Sequence, residues 1–164
     1  MQIKNKMKTI KKRKQQGKTD YKARFNLLKS GKARLVVRRT NTALIAQIVT
    51  SETAQDKVIL TVNSKDLLTK GWPADKKGSL KSLPAAYLTG FLIGKKAKSL
   101  VKDIILDSGM HRNIHGSRIY SLVKGAKDAG LNIYVDENVL PKIERIMSNK
   151  NISKSIIEKI KEKL

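Results

Sequence analysis

Residues 33–39 read Ala-Arg-Leu-Val-Val-Arg-Arg, residues 43–50 read Ala-Leu-Ile-Ala-Gln-Ile-Val-Thr, and residues 57–63 read Lys-Val-Ile-Leu-Thr-Val-Asn. All three runs are rich in β-branched residues and have the length of strands. Their links, 40–42 and 51–56, are short and polar, which favours antiparallel hairpins over crossovers. The middle run is nearly apolar on both faces, as expected inside a sheet. The stretch therefore predicts an antiparallel three-stranded meander.

Two helices and one more strand are predicted after the meander. A helix is expected from about residue 82 to 99, with Pro84 in its first turn, where proline is well tolerated. Residues 103–107 indicate a short buried strand, and Ser117 can cap a helix that ends near residue 129. The order β-β-β-α-β-α predicts an α/β fold in which helices pack on a mixed sheet.

Gly90 and Gly94 lie inside the first predicted helix, although a glycine there costs about 1 kcal/mol relative to alanine. They indicate a close approach to a strand, a helix or an RNA backbone, and tight packing on the sheet is the simplest of these. The segment 90–96 resembles a phosphate-binding loop, but its glycines are one residue too close and no Ser or Thr follows the lysine. Nucleotide hydrolysis is therefore not expected.

Short helices are predicted at both ends of the chain. Near the N-terminus, Thr19 or Asp20 can cap a helix that Gly31 ends, and Phe25 and Leu28 have the spacing to dock on the core. After a possible edge strand at 133–135, Pro141 opens a short helix through Met147. Four apolar residues then recur every four positions and predict an amphipathic helix: Ile152, Ile156, Ile160 and Leu164. This helix is expected to pack on its own domain or on a partner.

The charge of the chain is strongly unbalanced. It has 36 Lys and Arg against 13 Asp and Glu, a net charge of +23, and residues 1–39 contain a single acid, Asp20. Such an excess favours a polyanionic partner, with a nucleic acid first and an anionic membrane surface second. The absence of cysteine excludes disulfides and cysteine-ligated zinc. No signal peptide or membrane-spanning stretch is visible, so a soluble cytoplasmic protein is expected.

Residues 1–18 are expected to form a basic tail that is disordered in the free protein and contacts RNA. The alternative is a solubilising tail or a nuclear-type signal. The cations of the tail are Lys4, Lys6, Lys8, Lys11, Lys12, Arg13, Lys14 and Lys18.

No catalytic or metal site is predicted. His111 and His115 are four residues apart, but they have no third ligand. A two-metal nuclease site would need convergent carboxylates, and the strand between Asp103 and Asp107 separates them by about 13 Å. The remaining candidates, Asp128 and Asp136, show no matching pattern.

The arginines are better candidates for function. Arg34 and Arg38 share one face of the first strand, and Arg112 and Arg118 flank a later loop. Arginine forks match phosphate, and a helix start at Ser117 offers backbone N–H groups as well. Aromatic residues make up only 4% of the chain, so recognition should depend on shape and backbone contacts instead of base stacking.

At these positions the sequence resembles the family of protein eighteen of the large ribosomal subunit, in its archaeal form. The matching blocks keep their order and spacing over roughly residues 10–147. They are Gly17–Lys22, Arg34–Arg38, Asn41 with Ala46–Ile48, Pro84–Gly90, Gly94–Ala97, Leu106–Gly109 with Arg112, and Gly116–Arg118 with Lys124–Gly130. The Gly71-Trp72-Pro73 insertion and the basic tail fit the archaeal and eukaryotic branch.

The resemblance implies a structural, non-enzymatic protein of the large subunit, located on ribosomes in the cytoplasm. Its implied partners are 5S rRNA, large-subunit rRNA and neighbouring proteins of the central protuberance, with no cofactor, small-molecule substrate or membrane. Two rival functions stay open, an RNA-processing nuclease and a general polyanion-binding protein. The predicted division is a tail at 1–18, a 5S-rRNA-binding α/β domain at 19–135 and a helical extension at 136–164.

Beyond the tail, RNA contact is predicted for residues chosen by their chemistry and by the matching blocks. They are Tyr21, Lys22, Arg24, Arg34, Arg38, Arg39, Asn41, Lys95, Arg112, His115, Ser117 and Arg118.

Overall fold

The computed structural model describes residues 9–53, 55–149 and 152–164. Its strands are β1 (Ala33–Arg39), β2 (Leu44–Glu52), β3 (Gln55–Asn63), β4 (Asp103–Asp107) and β5 (Asn132–Ile133). Its helices are α1 (Lys12–Gln15), α2 (Tyr21–Lys29), α3 (Leu83–Ala97), α4 (Arg118–Asp128), α5 (Ile143–Met147) and α6 (Lys154–Lys163). Short 3-10 helices span Ser64–Lys70, Ala74–Ser79 and Glu137–Val139.

The strands form one mixed sheet in the order β3-β2-β1-β4-β5. β1 pairs antiparallel with β2, and β2 pairs antiparallel with β3 across an irregularity at Ile48 and Val49. β4 runs parallel to β1, and β5 runs parallel to β4 at the far edge. The predicted meander and the mixed α/β fold class are confirmed, because the short polar links permit only hairpins while α3 makes the crossover to β4.

Helices α3 and α4 cover one face of the sheet. Leu35 and Val37 on β1 point into this core and are fully buried there with Leu122 and Val123 of α4. The inward positions alternate along β1, as the pleat requires. This packing leaves Arg34 and Arg38 on the opposite face of the sheet.

The two helices pack against each other at glycines. A Cβ on Gly90 would collide with the carbonyl oxygen of Leu122, and a Cβ on Gly125 would collide with that of Tyr87. Gly94 likewise faces Ala126, so contacts advance in the same direction along both helices, which are parallel. The glycines therefore serve helix-on-helix contact, and the simpler interpretation of packing on the sheet is wrong.

A second apolar cluster lies on the outer side of α3. Trp72 and Leu67 are buried there together with Ile152, Ile157 and Ile160. The C-terminal helix α6 thus packs on its own chain, which settles the choice left open by its pattern. None of the helices in the described ranges is long and apolar enough to cross a lipid bilayer.

The N-terminal segment differs from expectation. The Asp20 carboxylate accepts hydrogen bonds from the Lys22 and Ala23 amides and caps α2, and Gly31 follows the helix with a φ of 65°. However, α2 has no buried residue and Phe25 is 65% exposed, so the predicted docking of Phe25 is wrong. The turn of helix at α1 falls where disorder is predicted, while residues 1–8 lie outside the described part of the chain.

Candidate nucleic-acid interface

Arg34 is the centre of an ion-pair network on the open face of the sheet. Its side chain is 2% exposed, with Nη1 3.1 Å from Asp107 Oδ2 and Nη2 2.6 Å from Asp56 Oδ1. Asp56 also pairs with Arg24 of α2 at 2.9 Å, and Asp107 pairs with Arg38 at 2.9 Å. Because both ends of the Arg34 guanidinium are engaged, we correct its predicted assignment to RNA contact: Arg34 stabilises the fold.

Asp56 is ionised within this network. Burial by itself raises the pKa of the Asp56 carboxyl, but hydrogen bonds from Ser51 and Arg24 and the charges of Arg34 and Arg24 together lower it below its usual value. The hydroxyl of Ser51 lies 2.6 Å from Asp56 Oδ1 and 2.8 Å from Arg34 Nη2, so it can accept from the arginine while donating to the carboxylate. The pair is therefore hydrogen-bonded as a buried charge requires.

Arg38 is held in place but remains accessible. Its Nη1 donates to the carbonyl oxygens of Val37 and Asp107, and its side chain is 40% exposed. The guanidinium lies against Gly109, where a Cβ would come within 2.8 Å of Cζ. It therefore presents a fixed cation to a groove of about 630 Å³ between α2 and β4, which Arg13, Lys18 and Arg24 also line.

A second cationic site lies at the start of α4. Arg39, Arg112, Ser117 and Arg118 line one cavity of about 290 Å³, together with His111. The Nε2 atom of His111 accepts a hydrogen bond from the Arg39 backbone amide at 3.2 Å. Burial and the charges of Arg39 and Arg38 lower the pKa of His111, so the imidazole is neutral at pH 7. The predicted residues of the later loop and of β1 thus converge.

Other predicted residues lie apart from these two sites. Lys95 is near the C-terminal end of α3, with Nζ 5.1 Å from the ring centre of Phe91. His115 and Lys22 are exposed, and the Tyr21 ring contacts Lys11 Nζ at 4.5 Å. Lys12 and Lys14 are exposed on α1, and the Asn41 carbonyl accepts a hydrogen bond from Lys81. Lys4, Lys6 and Lys8 lie outside the described residues. RNA contact at all these positions stays a prediction.

The carboxylates of the rival nuclease hypothesis have separate structural partners. Asp107 pairs with arginines, Asp128 with Tyr87 and Lys124, and Asp103 accepts from Asn132, while Asp136 caps a 3-10 helix. Within the described ranges, no group of three or more His, Asp or Glu side chains is arranged to hold a metal ion.

Two cations that the sequence did not single out also reach the start of α4. Lys81 precedes α3 and Arg145 lies on α5, yet both line a cavity of about 460 Å³ with Arg39, Ser117 and Arg118. Their distance along the chain gives no local pattern by which they could be predicted. Only the position of Lys81 next to the Ser82 helix cap is a signal that sequence reasoning could use.

The geometry defines a small, strongly basic α/β protein with arginine clusters held on a folded scaffold, the class to which many nucleic-acid-binding proteins belong. Comparison with known families places it more narrowly. Residues 5–103 match the family described as ribosomal large subunit proteins 60S L5 and 50S L18.

Three archaeal relatives show the same similarity, and each is described as large ribosomal subunit protein uL18. The chain is 43% identical over 135 residues to that of Methanothermobacter thermautotrophicus, covering 82% of this chain and 68% of the relative. It is 40% identical over 149 residues to that of Methanococcus maripaludis, covering 89% and 75%. It is 45% identical over 136 residues to that of Thermofilum pendens, covering 82% and 67%.

The chain therefore belongs to the family of ribosomal large subunit proteins 60S L5 and 50S L18. Membership makes it a structural, non-enzymatic constituent of the large subunit, located on ribosomes in the cytoplasm. The sequence-based prediction of this family and of these properties is confirmed.

Proposed function

We propose that the protein binds 5S rRNA and helps to attach it to the large-subunit rRNA in the central protuberance, beside neighbouring ribosomal proteins. Family membership supports the proposal, and so does the placement of cations around the end of β1. Arg38 faces the groove beside α2, whereas the next residue, Arg39, lines the cavities at the start of α4. Because successive strand residues point to opposite sides, the end of β1 presents two basic sites to one RNA.

Both sites suit the phosphate backbone better than the bases. Arginine matches phosphate oxygens bidentately, and the α4 start adds backbone donors. Two aromatic side chains of the described residues are strongly exposed, Phe25 on α2 and Tyr134 beyond β5, and neither of them lines either site. Selectivity for 5S rRNA would therefore come from the fixed spacing of phosphate contacts on a shaped RNA.

The domain division follows from this proposal. The α/β body at 19–135 supplies the fixed arginines, the tail at 1–18 adds less specific contacts, and the extension at 136–164 packs on α3. In this arrangement the folded residues select the RNA and the tail lysines strengthen binding through charge alone.

A salt titration of RNA binding tests the proposed function. The full chain is mixed with 5S rRNA, or with an unrelated structured RNA of the same length, and affinity is measured by gel shift across salt concentrations. We expect affinity to fall steeply with salt for both RNAs and to stay higher for 5S rRNA at physiological salt. Equal affinities for the two RNAs at physiological salt would contradict the proposal and support general polyanion binding instead.

A further inference from the structure

The cavity of about 460 Å³ at the start of α4 is lined by cations from four separate parts of the chain. Arg39 ends β1, Lys81 precedes α3, Arg118 begins α4 and Arg145 lies on α5. The lining contains no carboxylate, and none of these four side chains forms an ion pair within the described residues. Four uncompensated cations around one cavity repel each other, so an anion bound there relieves their repulsion.

We propose that this cavity binds one phosphate group of the RNA backbone, and that Arg145 of the C-terminal extension completes the site. The proposal rests on the proposed function and extends it to a defined site. It assigns a role in binding to the part of the chain that follows the α/β body.

Two helix N-termini meet at this cavity. Ser82 and Leu83 at the start of α3 line it, as do Ser117 and Arg118 at the start of α4. The α4 start has no side-chain cap, so the backbone N–H groups of its first turn are available to a phosphate. At the α3 start, Pro84 lacks an N–H and Ser82 caps Ala85, so α3 contributes mainly the positive end of its dipole. Because α3 and α4 are parallel, both positive ends point to the same side of the molecule, and their charges add to those of the four side chains.

The glycines of the helix pair explain why the two starts are so close. Gly90 and Gly125 remove the side chains that would hold the helices apart. The Ser121 hydroxyl then donates to the Leu83 carbonyl oxygen at 2.9 Å and ties the first turns together. An anion near two adjacent helix N-termini interacts favourably with both dipoles.

The Ser117 hydroxyl is a further sign of a ligand. Ser117 occupies the N-cap of α4, where serine usually accepts a hydrogen bond from the helix, yet no such bond is formed. Its Oγ atom is buried and has no hydrogen-bond partner within the described residues. A buried hydroxyl without a partner is costly, and a phosphate oxygen in the cavity that Ser117 lines would accept a hydrogen bond from it.

Arg145 lies against the backbone of the loop before α4. Its Nη1 atom lies 2.8 Å from where a Cβ of Gly116 would be, so the guanidinium packs directly on the glycine. Gly116 also donates its backbone N–H to the Val139 carbonyl at 2.8 Å, which fixes the loop against the C-terminal extension. The exposed guanidinium of Arg145 therefore lies beside the start of α4, among the residues that line the cavity, where its fork can bind a phosphate bidentately.

The first test measures 5S rRNA affinity of Arg145→Ala against Lys159→Ala. Lys159 is an exposed residue of α6 that does not line the cavity. Both variants lose one positive charge, so they have the same net charge and differ only in where the charge is lost. We expect Arg145→Ala to weaken binding about tenfold and to reduce the slope of affinity against salt by about 1, and Arg145→Lys to recover only part of the loss. If folded Arg145→Ala matches Lys159→Ala while wild type still prefers 5S rRNA, the site is refuted and the proposed function survives.

The second test needs no RNA. Inorganic phosphate is titrated into the ¹⁵N-labelled protein, and we expect shifts in the amides of 117–119 that are lost in Arg145→Ala and kept in Lys159→Ala. Unshifted amides in wild type would overturn the proposal. Phosphate binding at these amides, with an RNA affinity that Arg145→Ala leaves unchanged, would also overturn it, because the occupant would then be free phosphate and not RNA.

Discussion

Arg34 and Asp107 form a buried ion pair between the adjacent parallel strands β1 and β4, with Nη1 3.1 Å from Oδ2. The pair is shared, since Asp107 also binds Arg38 and Arg34 also binds Asp56. Strands β1, β3 and β4 and helix α2 are thus joined by charges on the face that α3 and α4 leave open.

Asp107→Ala should strongly destabilise the fold. The substitution leaves the buried Arg34 with one of its two carboxylates and frees Arg38. Breaking a buried pair costs about 3–5 kcal/mol when the remaining charge has no other partner, and because Arg34 keeps Asp56 we expect a loss near the lower end of that range. Urea unfolding measures the change. Asp103→Ala at the exposed start of the same strand is the control and should cost less than about 1 kcal/mol. Equal losses for both variants would contradict the role of the network.

Stability should fall as the pH is lowered through the range in which the His111 imidazole titrates. The pKa of His111 is lowered in the folded state, mainly by burial, so the unfolded chain takes up the proton first. Titration of His111 does not affect the unfolding free energy above the pKa of the unfolded state, which is about 6.5. Below that pH it destabilises the fold increasingly, until the folded state is also protonated. Melting temperatures from pH 7.5 to 5 for wild type and His111→Gln measure it, with His115→Gln as the control. A profile unaltered by His111→Gln would exclude His111 as the cause.

Gly125→Ala should destabilise the protein, although alanine is the better helix former by about 1 kcal/mol. The new Cβ would collide with the Tyr87 carbonyl oxygen, and a backbone atom of a buried helix cannot move aside cheaply. We expect a net loss of about 1–3 kcal/mol in unfolding free energy. Gly78→Ala, where a Cβ meets open space, is the matched control and should change little. A stabilised Gly125→Ala protein would show that the helices can separate.

Arg118→Ala should weaken 5S rRNA binding more than Lys8→Ala. Arg118 is part of a folded cationic site and has no ion pair among the described residues, so its fork is available to a phosphate. We expect a loss of about 1–3 kcal/mol for Arg118→Ala against a few tenths for Lys8→Ala. Gel-shift affinities and melting temperatures of both variants decide. Unchanged affinity in a folded Arg118→Ala protein would remove Arg118 from the interface.

The pattern of residues within each segment was sufficient to predict the strands of the sheet. The bounds of β1 and β4 agree with the sequence-based ranges, because strand composition and short polar links are properties of neighbouring residues. The shared face of Arg34 and Arg38 also follows from the two-residue period. What the period cannot reveal is that Asp56 and Asp107, from two other strands, lie close enough to bind Arg34 inside the protein.

The candidate site was only half predictable for the same reason. Arg112, Ser117 and Arg118 lie in one loop and helix start, so their neighbourhood is visible in the sequence. Lys81 and Arg145 join them through the packing of α3 and α5, which depends on the whole core. The prediction for Phe25 is wrong for the opposite reason. Its helical spacing suggests a buried face, but no element of the fold covers it.

The second apolar cluster has a consequence for the order of events during synthesis. Trp72 and Leu67 are buried against Ile157 and Ile160, which lie about ninety positions later in the chain. The cluster therefore cannot form until α6 has emerged from the ribosome that synthesises the chain. The sheet and the α3–α4 pair lack that dependence and can form earlier. Arg145 arrives in the same late step, so a nascent chain would gain the complete phosphate cavity only after its α/β body has already folded.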